Sequence, residues 1–352
     1  MSMPSAVERA RRQLAASLDD ARVFAQVAAA LADPDRPLMA HLIVCRRCNL
    51  SCGYCHEWSK TAEPVPLDVI RARLDHLVRL RVVLVTLTGG EALLHPDLVQ
   101  IVREVRARGM VPAMNTNGFL LTRAHVDALN DAGLYALQLS VDTLEPNATT
   151  VKALRPLRGK LRLLAERARF RVRINTVLGS GAPAEALAVA REVAALGFDA
   201  KVSLVRDAQG AVVPVSPEAA RVYAELQALG RRAPWFLSER FQTDLIARGR
   251  TTWKCRSGAR YFMVCEDGLV HYCESSFGSP GTPLADYTVA DIRRAFATQK
   301  ACADRCAVAY AHQASRFDEL RAQDLPPTHF AKQPWSTWNQ QLVQIRRAPH
   351  AA

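Results

Sequence analysis

The chain reads as an α/β protein built on a parallel sheet. From residue 39 onward, short β-branched runs alternate with amphipathic helical segments. That alternation is the pattern of strands laid side by side with helices packed across them. The segments between the runs carry apolar residues at helical spacing, and the chemically distinctive residues recur just past the ends of the runs.

Taken in order, residues 1–38 are Ala-rich. They form one or two helices with Leu14, Leu18, Val23, Val27 and Leu31 on an apolar stripe, ended by Pro34 and Pro37. Strands are expected at 41–46, 82–87, 111–115, 135–141, 171–178 and 200–205. Leu67, Ile70, Leu74, Leu77 and Val78 line the first intervening helix; Leu98, Ile101, Val102 and Val105 line the next. Leu187, Ala190, Val193 and Leu196 line a later one. A linker over 207–214 leads to a helix with Ser216 as N-cap and Pro217 in its first turn, and a second helix is expected over 237–248. Glu266-Asp267-Gly268 separates two apolar runs, 259–264 and 269–272, and Asp-Gly in that setting predicts a β-hairpin. The tail, 311–352, contains Pro326-Pro327 and a helix from about Ser336, with Trp335, Trp338, Leu342 and Ile345 available for packing.

With 352 residues and 49% hydrophobic content the chain can bury a substantial core. No stretch approaches the length of a membrane span, and the N-terminus, which carries Glu8, Asp19 and Asp20, does not read as a targeting peptide. The free thiols suit a reducing, cytoplasmic setting. The net charge of +12 comes mostly from dispersed arginines, with no basic stripe interleaved with aromatics. That disfavours nucleic acid and fits a solvated surface, or attraction of an anionic small molecule or redox partner.

Cys48-x3-Cys52-x2-Cys55 follows the first strand run directly. Thiolates are the usual ligands of iron–sulfur clusters, and three on one tight loop hold three irons of a cubane and leave the fourth open. The cysteine pairs Cys45/Cys48 and Cys52/Cys55 also invite a zinc reading, but structural zinc pairs are normally separated by a dozen or more residues. Nine cysteines, an odd number, argue against a disulfide framework. Cys45 itself reads as a packing residue.

The segment Cys48-Asn-Leu-Ser-Cys52-Gly-Tyr54-Cys55 resembles the signature of the radical S-adenosylmethionine (SAM) enzymes, with Tyr54 in the aromatic place. Gly89-Gly90-Glu91, after the second strand run, resembles that family's GGE motif. The resemblance implies a partial (β/α)6 TIM-like barrel whose chemistry gathers at the C-terminal ends of its strands. It also implies a 4Fe–4S cluster on the three cysteines that chelates SAM and cleaves it reductively to a 5′-deoxyadenosyl radical. Gly89, Gly90 and Glu91 would then hold the methionyl amino group, and Ser140 and Asp142 would lie near the ribose, with Tyr54, Asn117 and Asn175 completing the cofactor site. Each position also has a plainer reading: Gly89 and Gly118 as turn glycines, Asp142 as a helix cap.

Five of the nine cysteines lie between 255 and 306. The run Cys255-x12-Gly268-x4-Cys273, followed by Cys302-x3-Cys306, resembles the twitch extension of some radical SAM enzymes, a shortened SPASM domain. The resemblance implies a second, auxiliary 4Fe–4S cluster on Cys255, Cys273, Cys302 and Cys306. A zinc ribbon is the alternative, since a hairpin plus a helical pair is a zinc geometry. Cys265 is left over, as a packed hairpin residue or as a thiol hydrogen donor.

The expected organisation is a helical extension (1–38), a radical SAM partial barrel (39–206), a helical linker (207–250), a small hairpin-and-helix iron–sulfur domain (251–310) and a tail (311–352). The expected activity is hydrogen abstraction from a small molecule leading to its oxidation, with a reductant such as flavodoxin or ferredoxin. The alternatives are a radical epimerase using Cys265, a peptide maturase, a tRNA-modifying enzyme, and a non-catalytic iron–sulfur carrier.

Overall fold

The computed structural model describes residues 6–318 except 57, 208, 230–239 and 277–280, so the expected helix from Ser336 lies outside the described residues. The six expected strands are present as β1 (Met39–Cys45), β2 (Leu84–Gly89), β3 (Val111–Thr116), β4 (Ala136–Ser140), β5 (Arg171–Leu178) and β6 (Asp199–Leu204). Between them run α2 (Leu67–Arg79), α3 (Leu98–Ala107), α4 (Arg123–Ala132), α5 (Leu154–Arg167) and α6 (Pro183–Ala195), after a single N-terminal helix α1 (Ala6–Ala32). Each strand is parallel to the next. The sheet order is β6-β5-β4-β3-β2-β1-β7-β8-β9, open at both edges, which is a partial barrel.

The expected hairpin is β7 (Tyr261–Val264) and β8 (Leu269–His271), antiparallel to each other. Its turn closes through Gly268 N–H donating to Cys265 O at 3.0 Å, with Gly268 at φ 85°, a conformation glycine adopts without strain. β7 pairs in parallel with β1, so the hairpin extends the barrel sheet and β9 (Thr282–Pro283) ends it. Arg46 pairs with Glu266 at 3.0 Å, and Arg73 of α2 donates to the carbonyls of Cys265 and Glu266 at 3.0 and 2.8 Å, fastening the hairpin tip to the barrel.

Strand alternation sorts the side chains into two faces. Ala40, Leu42, Val44, Phe262 and Val264 join the main core beneath the helices, together with Ile70, Leu74, Leu77, Ile101, Val102 and Val105. His41 meets Tyr261 edge-on, and Ile43 clusters with Met263 and Cys265, all on the inner face. Val78, expected on the apolar stripe of α2, is 40% exposed because it stands at the rim of that stripe, one residue from the helix end. Leu18 of α1 is 62% exposed, whereas further along the helix Val23 and Ala30 pack on Val83 and Val111 at the strand starts. Leu18 therefore lies outside the apolar contact that Val23 and Ala30 make.

After β6 come α7 (Pro217–Leu229), α8 (Arg240–Arg248), α9 (Val289–Ala297) and α10 (Ala309–Ser315). Ser216 Oγ accepts from Ala219 N–H at 3.1 Å, the expected cap. Arg260, fully buried before β7, pairs with buried Asp318 at 2.6 Å and donates to the carbonyls of Ala30, Asp33 and Arg36, each at 2.7 Å. One guanidinium thus ties the end of α1, the start of β7 and the segment after α10. No helix among the described residues is long and apolar enough to cross a membrane.

Candidate functional site

The cysteine loop leaves β1 and is bound to the ends of neighbouring strands. Cys48 and Cys52 are buried and Cys55 half-buried; all are free thiols. Cys55 N–H donates to Cys52 O at 3.1 Å, Gly53 N–H to Thr149 O at 2.8 Å, and Lys60 Nζ to Leu50 O at 3.1 Å. Burial pushes the Cys48 thiol up, with the Glu91 carboxylate and Cys52 acting in the same direction.

Gly89 and Gly90 lie against this loop. Gly90 N–H donates to Cys45 O at 3.0 Å and Glu91 N–H to Arg47 O at 3.0 Å. A Cβ on Gly89, whose φ is 141°, would collide with Cys45 O, and one on Gly90 would stand 2.7 Å from Arg47 O. These glycines are required by close backbone approach, beyond any turn they make.

Glu91 is fully buried and both its oxygens are taken by its own chain. Thr116 Oγ1 donates to Oε1 at 2.7 Å, Leu93 N–H to Oε1 at 3.0 Å, and Asn117 N–H to Oε2 at 2.7 Å. Burial raises its carboxyl above the usual range, against the pull of those hydrogen bonds. The carboxylate pins the end of β3 to the end of β2. Asn117 then reaches the cysteine loop, its Nδ2 donating to Asn49 Oδ1 at 2.8 Å and lying 3.8 Å from Cys48 Sγ.

Asp142 is a second hub. Its Oδ2 accepts from Tyr54 Oη at 2.6 Å and Thr150 Oγ1 at 3.0 Å, and Lys152 Nζ stands 3.6 Å away. Its Oδ1 accepts from Val177 N–H at 3.3 Å. Thr150 Oγ1 also lies 3.7 Å from Cys52 Sγ, and the Lys152 ammonium sits over the Tyr54 ring at 4.7 Å. Burial works against the Lys152 charge, but Asp142, Tyr54 and Cys52 outweigh it and hold the amine well above its ordinary range. Ser140 pairs in register with Asn175, whose Oδ1 accepts from Ser203 Oγ at 2.7 Å. The loop, Gly89 to Glu91, Asn117, Tyr54, Ser140 and Asp142 thus gather at the C-terminal strand ends, while Asn175 faces β6. Thr116, Thr150 and Lys152 were not singled out in the sequence. They lie at a strand end and in a patternless loop, and only their contacts mark them.

Cys255, Cys273, Cys302 and Cys306 line a single cavity. Burial pushes the Cys273 thiol up to about 12, and Cys255 and Cys302 add to the effect. The Cys306 thiol is raised by burial and then by Cys273, Cys255 and Cys302. Cys302 is exposed. Among the described residues no three Cys, His, Asp or Glu side chains converge as ligands of one metal ion would. A cubane distributes its thiolates over separate irons, and four thiols around one cavity suit that group. Cys265 lies outside this cavity, on the inner barrel face, and Cys45 packs in the main core.

Residues 42–204 match the Radical SAM superfamily model. Among curated proteins, a GTP 3',8-cyclase 1 from Mycobacterium tuberculosis is 37% identical over 116 residues, 30% of this chain and 32% of that protein. A PqqA peptide cyclase from Gluconobacter oxydans is 34% identical over 129 residues, 36% of each chain. The chain therefore matches only about a third of the length of these relatives. Among solved structures, Streptococcus suis SuiB bound to precursor peptide SuiA superposes with a TM-score of 0.59 at 13% identity, covering 73% of this chain and 65% of that one. It shares the fold.

Proposed function

Residues 42–204 are a radical SAM domain, and from that premise we propose that this radical SAM enzyme oxidises a small molecule by two electrons, using one auxiliary cluster. Cys48, Cys52 and Cys55 would hold the SAM-binding 4Fe–4S cluster. Cys255, Cys273, Cys302 and Cys306 would hold the auxiliary one within a twitch-like unit at 251–310. When bound, these groups supply a 5′-deoxyadenosyl radical that takes one hydrogen atom from the substrate, and an acceptor for the electron left behind as the substrate loses a proton.

The chain's own residues prepare the site. Gly89 and Gly90, lacking a Cβ, let the end of β2 lie close against the cysteine loop, beside which the methionyl end of SAM would sit. Glu91 and Asp142 act by holding strand ends and the cysteine loop in place. Ser140, whose hydroxyl makes no hydrogen bond among the described residues, is the candidate ribose contact. Tyr310 enters the barrel from α10 and donates to Asn115 Oδ1 at 3.3 Å and Gln138 Oε1 at 3.1 Å. That filling of the interior favours a small substrate.

The observation that carries this reading is the second four-cysteine cavity, because a fully ligated cluster there suits electron transfer. The test is Cys273→Ala in protein supplied with a reductant such as flavodoxin or ferredoxin. SAM cleavage should persist and product formation should stop. Product formation at the wild-type rate would remove oxidation through the auxiliary site.

A second reading is favoured by one observation: Cys265 is fully buried on the inner barrel face beside Ile43 and Met263. There its thiol would return a hydrogen atom to a substrate radical, making an epimerase. Solvent deuterium in the product, lost with Cys265→Ala, would establish that outcome instead. The named activities of the relatives, cyclisation of GTP and of a PqqA peptide, define the further substrate classes to screen.

A further inference from the structure

The four-cysteine cavity has one charged side chain in its lining besides the thiols, Lys300. It is 4% exposed. Its ammonium donates to Ala295 O and to Thr298 O, the latter at 2.9 Å, where α9 ends. It also stands 5.2 Å from the centre of the Tyr272 ring. Capping the C-terminus of α9 is the ordinary role for such a lysine, and it accounts for two of its three N–H donors.

That role does not account for where the charge lies. Burying an ammonium is costly unless an anion balances it. No carboxylate among the described residues pairs with Lys300. The two acidic residues flanking the cysteines are engaged elsewhere: Glu274 with Arg206 at 2.7 Å, and Asp304 with Arg250 at 3.8 Å. The groups that share the cavity with Lys300 are the thiols of Cys255, Cys273, Cys302 and Cys306. A four-thiolate cubane is anionic and gains one more negative charge on reduction. A fixed cation beside it stabilises the reduced form more than the oxidised one and raises the potential, for which net charge and hydrogen bonding are the known levers.

We propose that Lys300 is a positioning residue that sets the auxiliary cluster's reduction potential, its buried ammonium holding that cluster ready to accept an electron. This rests on the reading of Cys255, Cys273, Cys302 and Cys306 as cluster ligands.

The experiment is a redox titration followed by electron paramagnetic resonance on the full-length, anaerobically reconstituted chain. The Cys48→Ala/Cys52→Ala/Cys55→Ala background removes the other cluster, so a single midpoint is read. Absence of iron and sulfide from that background, with Lys300 intact, would defeat the ligand assignment on which the inference rests. With the cluster present, Lys300→Met and Lys300→Gln should lower its midpoint, and Lys300→Arg should keep it near the parent value. An unchanged midpoint in the neutral variants would overturn the proposal. Should the neutral variants fail to assemble the cluster while Lys300→Arg assembles it, the requirement for charge stands. Failure of all three variants, Arg included, would assign Lys300 to packing alone and overturn the proposal.

Discussion

The Tyr54 hydroxyl donates to Asp142 Oδ2 at 2.6 Å, joining the cysteine loop after β1 to the end of β4. The aromatic residue between Cys52 and Cys55 is thus a strut as well as a surface. A hydrogen bond to a charged group contributes about 1.5–3 kcal/mol net. Tyr54→Phe should lower the unfolding free energy of the apo-protein by that amount in urea, and weaken SAM binding, while iron content stays at the wild-type level.

Glu91→Gln replaces one acceptor oxygen with an NH2 group facing Thr116 Oγ1 or the Asn117 N–H. The mismatch leaves a buried donor unsatisfied and should cost about 1–3 kcal/mol of apo stability. SAM affinity should fall with it, because the β3 end and Asn117 would shift against the cysteine loop. Full apo stability combined with lost SAM binding would mean that the carboxylate contacts SAM directly.

Gly90→Ala places a methyl group against Arg46 O and Arg47 O. Neither carbonyl belongs to a flexible side chain, so the loop backbone must move. Overpacking of this kind costs about 1–3 kcal/mol. The variant should bind SAM poorly even where its first cluster assembles, which equilibrium binding after iron analysis will show.

Changing Cys48, Cys52 and Cys55 together to Ala should remove about half of the iron of the reconstituted protein, since each cubane holds four irons. SAM cleavage should be abolished, and the remaining iron should depend on Cys273. Zinc without inorganic sulfide in the wild type would overturn both cluster assignments.

His41 is fully buried between Tyr261 and Tyr310, with Nδ1 3.2 Å from the Tyr261 hydroxyl. Burial pulls its pKa from the ordinary 6.5 down to about 4. Below pH 6.5 the unfolded chain takes up a proton that the folded chain refuses until about pH 4. The stabilisation is therefore present above 6.5 and lost as pH falls through that window, to a ceiling of about 3 kcal/mol. His41→Phe should flatten the decline of apo stability between those pH values. An identical slope in wild type and variant would show that His41 titrates normally.

The six barrel strands were legible because each is a β-branched run whose neighbours have helical period, and both patterns come from burial on defined faces. The glycines of the GGE motif and the cysteine loop were legible because backbone approach and thiolate chemistry tolerate few substitutes. Leu18 and Val78 were misjudged because periodicity marks an apolar stripe without showing where its partner surface ends. Lys152 and Lys300 escaped notice because a lysine in a loop has no pattern, and only its neighbours in space, Asp142 and Tyr54 for one and the four-cysteine cavity for the other, give it meaning. The two carboxylates Glu91 and Asp142 were singled out for contacts to SAM, but the sequence could not show that both turn toward donors of their own chain.

The Arg260 clamp and the pairing of β1 with β7 impose an order in time. Met39 to Leu42 find their β7 partners, Tyr261 to Val264, only after 222 further residues have been made (261 − 39). Until then one edge of β1, just upstream of the Cys48 loop, has an unpaired backbone, a state open to mispairing. Contacts so distant in sequence form late, because the loop between them must be closed first. The segment leading into the cysteine loop therefore gains its Glu266 contact only after residues 261–266 have been made, and cluster delivery should follow that point, with nascent chains truncated before residue 261 holding iron poorly.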